Sequence, residues 1–194
     1  MNAARAGGPA RDRLLAAAGE LFYEHGVHTV GIDSVIERAG VAKASLYNTF
    51  GSKDELVRAY LEARHDARRA RLLAEIERHD DPKERLLAMF DVLEATVAHP
   101  GYRGCAFANA AAESELDSAA ADVTRRVRSW LLGTTVRLAT ELGVADPTGL
   151  ARQLTVLYDG ALAQSRLDRS LTPVNAAKDA ANSLVAAALS ATPA

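Results

Sequence analysis

The chain has 194 residues, 48% of them hydrophobic and 25% charged, with a formal net charge of −2. That balance suits a globular protein with enough core to fold alone, and it excludes a membrane-spanning segment, because Asp, Asn, Arg and Ser interrupt every Ala-rich stretch. The single cysteine, Cys105, excludes an intrachain disulfide and, with an opening MNAARAGGPAR that lacks the apolar centre of a signal peptide, leads to the expectation of a cytoplasmic protein.

Residues 1–9 are small and read as a flexible arm. Leu14, Leu15, Ala18, Leu21 and Phe22 then fall on one stripe, predicting a first helix over Arg11–His25 that Gly26 ends. Ile32, Val35, Ile36 and Ala39 repeat at helical spacing in a second, short helix stopped by Gly40. After Val41-Ala42 a third helix covers Lys43–Phe50 with Leu46 and Phe50 turned inward. Its other face carries Lys43, Ser45, Tyr47, Asn48 and Thr49, hydrogen-bonding groups that burial would waste. The major groove of DNA can use them, since phosphates need cationic and hydroxyl donors and base edges need short polar groups. The spacing reads as a helix-turn-helix.

The run AGVAKASLYNTFGSKDEL, with the helices on either side of it, closely resembles the signature of the TetR family of one-component regulators, over roughly residues 10–65. The segment GCAFANAAAE, residues 104–113, is similar to one found in a subgroup of that family. The resemblance implies an all-helical homodimer with DNA-binding heads at the N-terminus, a small-molecule pocket in the C-terminal body, and a palindromic double-stranded operator. By the same resemblance Tyr47 and Lys53 contact phosphates, while Lys43, Ala44, Ser45 and Asn48 face base edges or nearby phosphates. Many members carry Thr or Ser just before the second helix. Here Val30-Gly31 stand there, with Thr29 one step earlier, so Gly31 can cap the helix but offers no hydroxyl.

Further along, Ser52 and Glu55 form a capping box for a fourth helix that starts at Lys53 and is expected to reach about His79. Asp81-Pro82-Lys83-Glu84 starts a fifth, which carries Leu86, Leu87, Phe90, Leu93 and Val97 before His99-Pro100-Gly101 breaks it. A short sixth helix is expected over about 106–116 and a seventh over about 119–142. Asp146-Pro147 and Thr172-Pro173 open the last two. The fold class expected is all-α, with nine helices, a helix-turn-helix domain over 10–56 and a ligand-binding and dimerisation domain over 57–194.

Charge is distributed unevenly: residues 1–71 hold 11 Lys and Arg against 9 Asp and Glu, a weakly basic head on an acidic remainder. Arg64, Arg68, Arg69 and Arg71 read first as a solvated helix face and second as an extension of a DNA patch. In the body Phe90, Cys105, Phe107, Asn109, Trp130, Tyr158 and Gln164 combine apolar walls with a few polar groups, a composition shared by ligand pockets and by ordinary cores. The last two helices carry more apolar surface than a small body readily covers, so Leu154, Leu162, Leu184, Val185 and Leu189 are the expected dimer interface.

Catalysis and metal chemistry find little support. The five His include no His-x-x-x-His pair, and no Gly-rich phosphate loop, nucleophile elbow or Cys-x-x-Cys occurs. No catalytic residue, metal set or cofactor is expected. The leading reading is a ligand-responsive transcription regulator, most simply a repressor. An architectural DNA-binding protein and a thiol sensor acting through Cys105 are the alternatives.

Overall fold

The computed structural model describes residues 9–191, so the arm over residues 1–8 lies outside the described residues. Pro9 does not belong to that arm: it opens the first helix. Nine α-helices, and no strand, occupy the described residues: α1 Pro9–His25, α2 Ile32–Ala39, α3 Lys43–Phe50, α4 Lys53–Glu77, α5 Pro82–Val97, α6 Ala106–Ala112, α7 Ala119–Glu141, α8 Pro147–Asp168 and α9 Thr172–Ser190. None is long and apolar enough to cross a membrane.

Local chemistry explains most of the ends. Asp81 accepts from the Lys83 and Glu84 amides at the start of α5, Asp146 accepts from the Gly149 amide at 2.8 Å, and Pro82 and Pro147 occupy the first turn where no amide is needed. Gly40 takes φ 61°, ψ 45° and returns its amide to the Glu37 and Ile36 carbonyls, a left-handed stop that suits glycine. At the start of α4 only half the expected box forms. Ser52 Oγ accepts from the Glu55 amide at 3.1 Å, whereas the Glu55 carboxylate turns to Arg58 at 3.3 Å. Helix α9 opens at Thr172-Pro173 as expected, and Ser170 Oγ accepts from the Thr172 amide. Helix α6 stops at Ala112 and α4 at Glu77, both earlier than the periodicity suggests.

Two compact units divide the chain, and they do not follow linear order. The first gathers residues through His65 with Ala106–Arg125; the second comprises Asp66–Cys105 and Arg126 onward. In the first, α1 packs on α2 and α3, with Leu14, Ala18, Val35 and Leu46 fully buried and Phe22 meeting Tyr60 edge-on at 5.6 Å. In the second, α8 and α9 lie against each other and α5 against both, around Phe90, Leu93, Leu154, Val174 and Val185.

Candidate nucleic-acid interface

Helices α2 and α3 form a turn whose buried side is short and apolar: Val35, Ala39 and Leu46 point in. That anchoring fixes which residues of α3 look outward. Lys43, Ala44, Tyr47 and Asn48 are exposed, Tyr47 to 45%, while Ser45 and Thr49 are half-buried. Thr49 spends its hydroxyl on the Ser45 carbonyl one turn back, at 2.6 Å. The outward donors of α3 are therefore Lys43, Tyr47 and Asn48, with Ala44 between them as a methyl-sized contact.

Two lysines at this surface are already engaged. Lys43 Nζ lies 2.9 Å from Asp33 of α2, and that hydrogen bond, with the charge behind it, holds its pKa above the usual lysine value. Lys53 donates to the His28 carbonyl at 3.2 Å. Partial burial draws its pKa down, opposed by the Glu113 carboxylate. Thr29 and Gly31 are exposed beside it, and no side chain caps α2 at Gly31. A cluster of donors next to an uncapped helix start can receive backbone phosphates.

Sequence reasoning missed the framework under this surface. Arg13 donates to the Gly40 carbonyl at 3.3 Å, and Arg38 pairs with Glu20 at 2.6 Å. Glu113 accepts from the His28 amide at 3.0 Å, so the residue after α6 holds the α1–α2 loop. Asp54 accepts from the Ala119 amide and Arg58 pairs with Asp122 at 2.8 Å, binding α4 to the start of α7 within the first unit. These partners lie far apart in sequence, and no local pattern marks them. The arginine run also differs from a simple solvated face. Arg64 stacks over Tyr23 at 3.9 Å and Tyr60 at 5.3 Å, and Arg68 over Tyr158 at 5.1 Å. Arg69 and Arg71 are exposed.

The seven residues read as pocket candidates are distributed over both compact units. Phe107 (buried) and Asn109 (half-buried) belong to the first unit, where the Phe107 carbonyl accepts from Thr124 Oγ1 at 3.1 Å. In the second, Phe90 and Tyr158 are buried with ring centroids 6.3 Å apart, and Cys105 and Trp130 pack half-buried against the same core. Burial pushes the Tyr158 phenol above its usual range, against the pull of Arg68. Gln164 is exposed; its neighbour Ser165 takes the interior position, its hydroxyl buried with no hydrogen-bond partner.

The residues expected at a dimer interface also need correction. Leu154, Leu162 and Val185 are buried inside the chain's own core, and Leu184 packs half-buried against it. Only Leu189 is exposed, at 38%. The helices present a different face: Val156 is 70% and Leu167 78% exposed on α8.

Comparison with known proteins agrees with this architecture. A sequence model described as "Bacterial regulatory proteins, tetR family" matches residues 14–60, and one described as "Tetracyclin repressor-like, C-terminal domain" matches residues 82–181. The crystal structure of a TetR-family transcriptional regulator from Streptomyces coelicolor superposes with a TM-score of 0.89 at 31% identity, covering 93% of this chain and 90% of that one. The HTH-type transcriptional repressor NemR of Escherichia coli is 28% identical over 174 residues, 84% of this chain and 87% of NemR. The HTH-type transcriptional activator FasR of Mycolicibacterium smegmatis is 36% identical over 95 residues, 48% of this chain and only 43% of FasR. The chain belongs to the TetR family of DNA-binding transcriptional regulators.

Proposed function

We propose that this regulator is a homodimeric repressor that occupies a palindromic operator through α3 and leaves it when a small molecule binds the C-terminal body. The observation that carries the reading is the outward face of α3, where Lys43, Ala44, Tyr47 and Asn48 are exposed above a buried Leu46. Two such helices related by a two-fold axis read two half-sites, and the operator then mirrors that symmetry. The effector would be apolar or aromatic, placed among Phe90, Trp130 and Tyr158. Arg68 at the Tyr158 ring and the Ser165 hydroxyl supply polar groups that can orient it. Helix α4 contributes residues to both compact units, so its displacement by a ligand can carry to the head. The ligand must prefer the DNA-incompetent arrangement, and a tenfold loss of operator affinity requires about 1.4 kcal/mol of preference.

Selection of bound duplexes from a random pool tests the first half: an inverted repeat should emerge, and a non-palindromic or absent consensus would refute it. Compounds that release the selected duplex should change Trp130 fluorescence in parallel, and release with normal response in Trp130→Phe and Tyr158→Phe chains would put the effector elsewhere. The similarity to FasR favours an activator as the second reading. Reporter output from the selected operator decides between them: it falls with the regulator present for a repressor and rises for an activator.

A further inference from the structure

The end of α4 and the middle of α5 bring together a set of ligands that DNA binding does not use. Glu75, His79 and Asp91 each offer one donor atom, and the three atoms lie within 4.8 Å of one another, all on half-buried side chains. His79 Nδ1 lies 3.3 Å from Glu84 Oε2. With Nδ1–H donated to Glu84, the lone pair sits on Nε2. That nitrogen is buried, has no hydrogen-bond partner, and faces Glu75 Oε1 at 3.6 Å, beyond hydrogen-bonding distance. An acceptor nitrogen opposite the Glu75 carboxylate is unfavourable unless a proton or a metal ion lies between them, and Asp91 brings a further carboxylate oxygen to the same group.

Charge points the same way. Four carboxylates gather here, Glu75, Glu84, Asp91 and Glu94, whereas Arg78 pairs with Glu75 at 3.0 Å and Lys178 bridges Asp91 and Glu94 at 2.6 and 3.1 Å. The excess is two negative charges when His79 is neutral. One imidazole and two carboxylates, with the imidazole's second nitrogen held by an outer carboxylate, form a donor set for a first-row divalent ion. Such an ion holds its ligand atoms roughly 3.3 Å apart, so atoms now within 4.8 Å of one another need at most about 1.5 Å of side-chain closure.

We propose that Glu75, His79 and Asp91 bind a divalent transition-metal ion, with Glu84 orienting His79 from outside and Lys178 competing with the ion for Asp91. The ion would tie the end of α4 to α5 within the second unit.

Titration of chelator-treated full-length chain with Co2+, read by visible absorption, and displacement by Zn2+ test this. The wild type is expected to bind one ion per chain at micromolar concentration. His79→Gln and Asp91→Asn should each lose at least tenfold in affinity, and Glu84→Gln roughly 10–100-fold, the usual cost of removing an outer-sphere partner. Lys178→Met should tighten binding several-fold, which a merely structural ion pair cannot do. Cys105→Ser should bind as wild type. Far-ultraviolet circular dichroism identifies any variant that misfolds, and the remaining variants then decide. Absence of Co2+ uptake by the wild type, or wild-type affinity in folded His79→Gln and Asp91→Asn chains, overturns the site. Operator binding is measured separately, so failure here leaves the DNA-binding reading standing.

Discussion

Tyr47 and Asn48 are neighbours on α3, yet their chemistry assigns them different work. A phenol on an exposed side chain reaches a phosphate and carries no base information, whereas a short carboxamide can pair with a base edge in two directions. Tyr47→Ala and Lys53→Ala should therefore weaken binding to all duplexes alike, and Lys53→Ala should also flatten the salt dependence by about one unit of slope. Asn48→Ala should instead change the preference at one position of the site. Band-shift titrations over a salt series distinguish these outcomes, and intact operator affinity in all three variants would remove α3 from the interface. Asp33 gives a prediction of opposite sign. Its carboxylate holds Lys43 and adds a negative charge on the face proposed to meet DNA phosphates. Asp33→Asn should raise affinity for specific and random duplexes together, most strongly at low salt; an unchanged dissociation constant would mean that Lys43 stays away from the backbone.

At the scale of helices, the sequence announces starts and stops where a residue type has one dominant use. Asp-Pro at α5 and α8, and Gly40 after α2, were legible because Pro tolerates only the first turn and glycine accepts φ of 61°. The periodicity over-extends α6, because Ser114, Glu115 and Leu116 carry no strong stop signal, and Leu116 is exposed rather than buried. The bond from the His28 amide to Glu113 was not legible at all, since no periodicity links residues 85 positions apart. It does give a test. Gly26 adopts φ of 91°, and a Cβ there would lie 2.6 Å from Glu113 Oε2. Gly40 also has positive φ but no such neighbour. Alanine at Gly40, in the left-handed α region, costs about 1–2 kcal/mol, and at Gly26, whose φ of 91° lies outside that region, at least as much. At Gly26 it must also push the carboxylate away from the His28 amide, adding on the order of 1 kcal/mol. Urea denaturation should thus find Gly26→Ala less stable than Gly40→Ala. In a Glu113→Ala background the cost of Gly26→Ala should fall by about that 1 kcal/mol while the cost of Gly40→Ala stays the same; if neither changes, the carboxylate is not what the new methyl displaces.

For the whole molecule, sequence reasoning could not tell which way each apolar residue of the last two helices faces. Leucine and valine at helical spacing serve a chain's own core and a partner's surface equally well, and only packing against α5 decides. Leu154, Leu162 and Val185 went inward. The outward stripe of α8 runs Val156, Gly160, Ala163, Leu167, and that of α9 runs Ala176, Ala180, Ser183, Ala187, each at three- and four-residue steps along one face. Small side chains let two helices approach closely, and exposed Val156 and Leu167 are the large groups that pairing would bury. We propose a two-fold interface through this surface, which would supply the symmetry that the proposed palindromic operator calls for. Leu167→Glu should then leave helicity and melting temperature close to wild type while shifting the chain to a monomer, with operator affinity lost because one head reads only one half-site. Val185→Glu should behave differently: an unpaired carboxylate at a fully buried site costs several kcal/mol, enough to unfold a domain of ordinary stability before any question of assembly arises. Light scattering and circular dichroism on the two variants separate the cases. If Leu167→Glu and Val156→Glu both remain dimeric at micromolar concentration, the subunits meet through another surface.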